Sequence, residues 1–322
     1  MASPPTPGDG PGAAGGPAPA LTVVVGARAS EPSPAACLAA LEAQMGGHVE
    51  VILVEDAETA QPVPAGMRRV TRSGGLVPEL WAEGVRLARG ELVGLLAATV
   101  VPDPDWVART IELHGAEADL AGIGGAIEPG SHLGLADWAV YFLRYAPYML
   151  PLLDPDGLEV PGDNASYRAA ALAGVADHYR QGFWEPAVHR ALRSGGERLA
   201  MRPSRVVRHQ PGASPGQVCR QRFAHGRAHG RERSRGLARS RILLESASAP
   251  AVPPLLLWRA ARTVGRKRRH RLRLVASAPW ILAFSTAWAA GELAGRLTAV
   301  ALAGRPPAVA LAGRPSAAPR RE

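Results

Sequence analysis

Short apolar runs that alternate with helix-like segments are the feature of this chain that most constrains its fold. Runs typical of buried strands occupy Leu21–Val25, Val49–Val54 and Glu91–Leu96, and a further strand is expected at Asp119–Gly125. The stretches between them carry apolar residues at helical spacing. This alternation predicts an α/β fold with a mostly parallel central sheet, flanking helices and right-handed crossovers. Helices are expected to follow the sheet at the C-terminal end.

Composition along the 322 residues suggests four regions. Residues 1–20 are nearly all Pro, Gly, Ala and Ser, which predicts a disordered tail. An α/β catalytic domain is expected at 21–240, and a helical region at 241–302. Residues 303–322 share an Ala-Val-Ala-Leu-Ala-Gly-Arg-Pro repeat with the residues just before them, which indicates a low-complexity tail.

Net charge and cysteine content narrow the class of protein. The chain carries +9 at pH 7, which suits nucleic acid, an anionic membrane surface or a phosphorylated substrate. No helix-turn-helix, zinc or RNA-recognition signature accompanies the basic residues, which argues against a nucleic-acid partner. Cys37 and Cys219 are too few for a disulfide framework or a zinc site.

Polar residues follow the first two predicted strands. Gly26 and Arg28 come after the first strand, and Glu55 and Asp56 come after the second. Ligands of parallel sheets bind beyond the carboxyl ends of the strands, so these residues are candidates for a binding site. A carboxylate there can accept a hydrogen bond from a uracil imide or a guanine amine. The alternative is a helix cap or an exposed turn.

Two later segments carry groups suited to sugar chemistry. Asp163 and Asn164 lie in a segment interpreted as a loop that runs into a helix, and they offer hydrogen-bond partners to sugar hydroxyls. Phe183 and Trp184 can form an apolar platform for a sugar face, and Glu185 supplies a carboxylate. The alternatives are a capped turn for the first segment and a helix cap for Glu185.

Together these segments resemble family 2 glycosyltransferases of the GT-A type. The resemblance covers about residues 21–240 and rests most on Gly162–Arg168 and Gly182–Glu185. It implies transfer of a sugar from a nucleotide-diphospho-sugar to a hydroxyl acceptor, with inversion, in the synthesis of a cell-envelope glycan or glycolipid.

The resemblance also implies roles for individual residues. Glu185 is the general base, and Asp163 is the second catalytic candidate, flanking the acceptor pocket. Asn164, Phe183 and Trp184 are expected to bind the acceptor. The donor is expected to contact five residues, with Asp56 holding the base: Gly26, Arg28, Glu55, Asp56 and Thr99.

The chain departs from the family at the metal site. The family carries Asp-x-Asp at the end of the third strand, and this chain reads Ala97-Ala98-Thr99. The later Asp103-Pro104-Asp105 is interpreted as the cap of the next helix. Three alternatives follow: metal-free transfer with Arg, Lys or helix N-termini on the diphosphate, recruitment of Mg²⁺ or Mn²⁺ through Asp103 or His209, or a non-catalytic glycosyltransferase-like binding subunit.

The C-terminal third suggests a membrane contact. The basic segment Arg220–Arg231 is either an amphipathic helix at a membrane surface or a solvated basic face. A second basic block, Arg259–Arg273, precedes the uncharged run Leu274–Gly291, which as a helix is about 27 Å long. This favours attachment to the cytoplasmic face of a membrane, by one span or by an interfacial helix. The alternative is a soluble helical hairpin.

Overall fold

The computed structural model describes residues 18–29, 32–57, 62–157, 159–234 and 237–303. The expected tails at 1–20 and 303–322 therefore lie almost wholly outside the described residues. The chain divides into two compact units. The first comprises the residues up to Gly212 together with Arg266–Arg269, and the second comprises Ala213–Gly265 and the residues from His270. The segment 213–240, expected in the catalytic domain, thus belongs to the helical unit.

A mixed eight-stranded sheet forms the centre of the first unit. Its strands are β1 (Leu21–Ala27), β2 (Val49–Glu55), β3 (Arg68–Thr71), β4 (Leu92–Ala97), β5 (Val100–Pro102), β6 (Leu120–Pro129), β7 (Asn164–Arg168) and β8 (Arg198–His209). The order is β3-β2-β1-β4-β7-β6-β8-β5. The half from β3 to β4 is parallel, whereas β7 runs antiparallel to both of its neighbours. The expected α/β class is confirmed, and the antiparallel strands make the sheet mixed.

Helices cover this sheet. Those of the first unit are α1 (Ala35–Glu42), α2 (Val77–Leu87), α3 (Trp106–Ala116), α4 (Leu135–Tyr145), α5 (Ala169–Gly174) and α6 (Glu185–Ser194). Every residue of β1 and β2 is buried, as expected for strands with helices on both faces. From α2, Trp81 donates a hydrogen bond through Nε1 to the Leu96 carbonyl at 2.8 Å, which fixes this helix at the carboxyl end of β4.

Two local interpretations from the sequence are wrong. Residues 164–168 form strand β7 and not a loop that enters a helix, because their backbone pairs with both β4 and β6. Asp103 does not cap α3. Its carboxylate instead pairs with the Arg208 guanidinium at 2.8 and 3.0 Å, and α3 begins after Asp105.

The second unit is helical. It contains α7 (Pro215–Arg233), α8 (Arg239–Ser246), most of α9 (Val252–Lys267), and α10 (Arg271–Ala303). Within the described residues, one helix is long and apolar enough to cross a membrane by length and composition, and it covers Arg271–Val300.

Candidate active site

The register of β7 sets the position of Asp163. Asn164 pairs with Leu96 of the antiparallel neighbour β4, so Asp163 lies beside Ala97, where β4 ends. Strand β4 itself has no carboxylate at this end, where the chain reads Ala97-Ala98-Thr99. The structure supplies one from the adjacent strand.

One oxygen of the Asp163 carboxylate is fully engaged. Its Oδ2 accepts hydrogen bonds from the Arg144 guanidinium and the Tyr145 hydroxyl, each at 2.9 Å. Its Oδ1 is buried and has no hydrogen-bond partner. Both donors come from the last turn of α4, which the sequence analysis did not single out. The unpaired oxygen leaves Asp163 able to bind one further donor.

Glu185 is the first residue of α6 and is partly buried. Burial raises its pKa to about 7, and the nearby negative charge of Asp163 adds to the rise, whereas its own backbone N–H lowers it. The Gly162 N–H also donates to Oε1 at 3.2 Å. A Cβ at position 162 would lie 2.6 Å from that oxygen, so the close approach requires glycine.

A cavity of about 280 Å³ brings these groups together. Three acidic side chains line its wall: Asp163, Glu159 and Glu185. The other polar side chains of the wall are Arg144, Tyr145, Tyr148 and His189. Asp163 and Glu185 thus share one cavity, although they lie on different elements. A general base with a pKa near neutrality and a second carboxylate can accept protons or hydrogen bonds from a bound polyol.

A buried hydrogen-bond chain extends from the same wall. The Tyr167 hydroxyl lies 2.8 Å from His189 Nε2, and His189 Nδ1 lies 2.9 Å from the Glu159 carboxylate. Arg193 in turn donates to Glu159 at 2.6 Å. Burial lowers the pKa of His189. The sequence signal that was missed is the spacing of Glu185 and His189, which are four residues apart and therefore lie on one face of α6.

The donor-side candidates lie at the ends of β1 and β2. Asp56 Oδ1 accepts from the Ala29 N–H at 2.6 Å, and Oδ2 lies 3.6 Å from Arg28 Nε. Glu55 is buried and pairs with Arg69 of β3 at 2.9 Å. Asp56 therefore orders the loop after β1, and Glu55 joins β2 to β3. At Gly26, a Cβ would lie 3.2 Å from the Trp81 ring, which packs there.

The three acceptor candidates differ in exposure. Asn164 has no exposed surface, because Oδ1 accepts from Trp106 and Nδ2 donates to the carbonyls of Ala126 and Arg205. Phe183 is also fully buried and packs against Tyr167 and Tyr179. In this structure neither side chain is exposed to an acceptor, and their role in acceptor binding stays a prediction. Trp184 is 46% exposed and remains accessible.

His209 and Thr99 lie side by side where β8 meets the end of the Ala97–Thr99 turn. The Thr99 carbonyl accepts from the Gln210 N–H at 2.9 Å. The His209 ring packs beside Tyr145 with centroids 5.2 Å apart, and burial lowers its pKa to about 3. Its Nδ1 has no hydrogen-bond partner.

A metal ion held by the protein alone needs several acidic, histidine or cysteine side chains that converge. Within the part of the chain that the structure describes, no group of three or more His, Cys, Asp or Glu side chains converges as a metal site requires. The described residues do not fit a cation held by the protein alone. Asp163 Oδ1 and His209 Nδ1 are single buried atoms that lack partners.

A segment from the C-terminal part of the chain supports the cavity wall. Arg269 pairs with the Glu128 carboxylate at 2.7 and 3.0 Å and donates to the Leu150 carbonyl at 2.8 Å. Lys267 donates to the carbonyls of Pro147 and Met149. Both cations belong to the first unit, and they hold the residues on either side of Tyr148.

Comparisons with known proteins give fold neighbours only. No protein-family model matches the chain, and no curated protein matches it. A crystal structure of S. aureus TarS residues 1–349 is 14% identical, with a TM-score of 0.44 and coverage of 63% of each chain. The mannosyltransferase PcManGT from Pyrobaculum calidifontis, in complex with GDP-Man and Mn²⁺, is 17% identical, with a TM-score of 0.44 and coverage of 91% of this chain and 78% of that one. The chain thus spans less than two thirds of the TarS fragment.

Proposed function

We propose that this protein is a glycosyltransferase that moves a sugar from a nucleotide-diphospho-sugar to a hydroxyl acceptor with inversion. The observation that carries the proposal is the Glu185 carboxyl group, whose pKa is raised to about 7 in a cavity that it shares with Asp163. This is the protonation behaviour that a general base needs near neutral pH. The resemblance of the Gly162–Arg168 and Gly182–Glu185 segments to family 2 enzymes supports the same assignment.

In the proposed reaction, ionised Glu185 accepts the proton of the acceptor hydroxyl. The hydroxyl oxygen forms a bond to the anomeric carbon, and the nucleoside diphosphate leaves from the opposite face with the bonding electron pair. Asp163 Oδ1 accepts a hydrogen bond from a sugar hydroxyl, while Arg144 and Tyr145 hold its other oxygen. Trp184, exposed beside Glu185, supplies an apolar surface to the acceptor.

The donor is assigned to the ends of β1 and β2. Asp56 holds the loop that carries Arg28, and Arg28 is assigned to the diphosphate. Gly26 and Thr99, at the ends of β1 and β4, complete the proposed donor site. Because the described residues do not form a metal set, every step uses side chains of the chain itself. Dependence on Mg²⁺ or Mn²⁺ is therefore tested by the effect of each ion on donor binding.

A second candidate is a non-catalytic glycosyltransferase-like subunit that binds a nucleotide without turnover. The turn Ala97-Ala98-Thr99, which has no carboxylate, favours it. Binding of a donor without any transfer in an acceptor screen would separate this candidate from the enzyme.

Donor binding followed by transfer tests the proposal. Conjugates of UDP, GDP and dTDP are titrated into the full chain with Mg²⁺, with Mn²⁺ and with EDTA. Binding that survives EDTA is expected if arginines hold the diphosphate, and binding that is lost in EDTA would assign a metal to the site. Absence of binding under every condition contradicts the proposal.

Substitution of the base then tests catalysis. Glu185→Gln is expected to bind the donor as the wild type does and to lose transfer by a factor of about 100 or more. Glu197→Gln, an exposed carboxylate after α6, is the matched control and is expected to keep the wild-type rate. Equal rates in Glu185→Gln and the wild type would remove Glu185 from the mechanism.

We also propose that the protein works at the cytoplasmic face of an anionic membrane, on a glycan or lipid-linked acceptor. From Ser246 to Gly291 the chain has no Asp or Glu and eight Lys or Arg residues. Such a segment is attracted to anionic lipid by about 1 kcal/mol for each basic residue near the surface.

A further inference from the structure

We propose that α10 lies in the plane of an anionic membrane surface and does not span the bilayer. The proposal rests on the membrane contact proposed above and adds its geometry. The helix passes a test of length and composition for a span from Arg271 to Val300. Its packing within the second unit divides that length into two parts with different surroundings.

Four glycines join the later part of α10 to α7. Gly226 and Gly230 lie four residues apart on α7, and Gly291 and Gly295 lie four apart on α10. A Cβ at any of them would overlap backbone atoms of the other helix: Gly226 that of Trp288, Gly230 that of Glu292, Gly291 that of Phe223, and Gly295 that of Arg227. The two backbones therefore touch over two helical turns, and α7 must accompany this part of α10 wherever it lies.

The joined part is too polar for hydrocarbon. Arg227 of α7 is exposed at this level, and α7 carries further arginines on either side. On α10, Arg296 is buried in a network with Glu292 at 2.6 Å and Glu245 at 3.1 Å. A charged side chain at the bilayer centre costs about 3 kcal/mol or more. This part of α10 therefore belongs in water.

The earlier part of α10 is apolar on its outer face. Six exposed positions from Leu272 to Ala283 recur every three or four residues and carry apolar side chains: Leu272, Val275, Ala276, Pro279, Leu282 and Ala283. Leu272 is 85% exposed and Val275 is 72% exposed. The opposite face, which includes Ile281 and Phe284, is buried. A stretch of this length is about 18 Å long, well short of the ~30 Å hydrocarbon core.

Charge identifies the occupant of this face as anionic lipid. Four arginines of the second unit are exposed on α9 and in the first turn of α10: Arg259, Arg262, Arg271 and Arg273. Trp258 and Leu255 are exposed among them. A basic and apolar surface without any acid between Ser246 and Gly291 is typical of helices that lie in the headgroup region.

Vesicle sedimentation of the full chain tests the proposal. Binding is expected to vesicles of phosphatidylglycerol with phosphatidylcholine, and to be weaker by at least ~10-fold on phosphatidylcholine alone. The double variant Leu272→Glu/Val275→Glu is expected to reduce binding to the anionic vesicles by about 10-fold or more. Leu297→Glu changes an exposed leucine beyond the glycine contact and is the matched control, expected to bind as the wild type does.

Extraction separates the in-plane helix from a span. In membranes of cells that express the full chain, alkaline carbonate is expected to release the protein. Protein that stays in the membrane after carbonate would show a span, and absence of vesicle binding would remove the lipid surface altogether. Glu185→Gln is expected to bind vesicles unchanged, so a failure of transfer and a failure of membrane binding are seen independently.

Discussion

Asp163 lies beside Ala97 at the edge where β4 ends and β7 begins, because Leu96 pairs with Asn164 in the antiparallel ladder. The strand that lacks an acid is thus next to a strand that supplies one. The same carboxylate faces Arg144 and shares its cavity with Glu185. The charges of Asp163 and Arg144 shift the pKa of Glu185 in opposite directions. The pH dependence of the reaction rate can therefore test Glu185 as the base.

The pH profile of kcat/KM is expected to rise with an inflection near 7, because Glu185 acts as a base only when ionised and its pKa is about 7. The negative charge of Asp163 raises that pKa, and Arg144 lowers it. Asp163→Asn is therefore expected to move the inflection to lower pH, and Arg144→Gln to move it to higher pH. Shifts in the same direction would contradict this electrostatic account.

Stability is expected to respond to the same group. The folded-state pKa of Glu185 is raised from 4.5 to about 7, so its contribution to stability is greatest below 4.5 and is lost as pH rises through 7. Glu185→Gln removes this dependence. Its free energy of unfolding in urea is expected to exceed that of the wild type by up to about 3 kcal/mol at about pH 8. The two proteins are expected to converge in acid, and a gap that is constant with pH would refute the assignment.

Arg205 is expected to matter for folding. It has no exposed surface, and it donates to the Ser166 hydroxyl at 2.5 Å and the carbonyls of Ile123 and Asn164 at 2.6 and 2.9 Å. Arg205→Ala removes these buried charge-assisted hydrogen bonds and is expected to lower the free energy of unfolding by about 3 kcal/mol. Arg198→Ala, an exposed arginine on the same strand β8, is the control and is expected to change it by about 0.5 kcal/mol or less.

Arg269 is expected to link the C-terminal segment to the cavity wall. Arg269→Ala leaves the Glu128 carboxylate, which is 7% exposed, without its cationic partner and with the Leu150 N–H as its remaining donor, and is expected to destabilise the protein by about 2 kcal/mol. The loss in Glu128→Gln/Arg269→Ala is expected to be smaller than the sum of the two single losses. Additive losses would show that the two groups do not interact.

The contact between Arg269 and Glu128 limits what a C-terminal truncation can test. A chain that ends at Ser248 loses the apolar face of α10, and it also loses Lys267 and Arg269 from the first unit. Such a truncation tests folding together with membrane binding. The point variants at Leu272 and Val275 keep both cations and test the membrane contact alone.

Local patterns in the sequence determined the fold class. The buried strands at Leu21–Val25, Val49–Val54 and Glu91–Leu96 are recognisable because each is a continuous apolar run. Glu185 was recognisable as an acid at a helix start. These features depend on residues that are close together in the chain. Hydrophobic periodicity and helix-capping residues are therefore sufficient to predict them.

Only the tertiary structure decided which candidates share a cavity. The pairing of β7 with β4 buried Asn164 and brought Asp163 to Ala97, and neither result can be obtained from spacing because antiparallel register depends on long-range pairing. The sequence predicted that Phe183 is part of an apolar platform for a sugar face, whereas in the structure Phe183 packs against Tyr167 in the core. Arg144 carried no local signal, because its role arises from groups on other elements that face it across the cavity, and His189 carried only its four-residue spacing from Glu185.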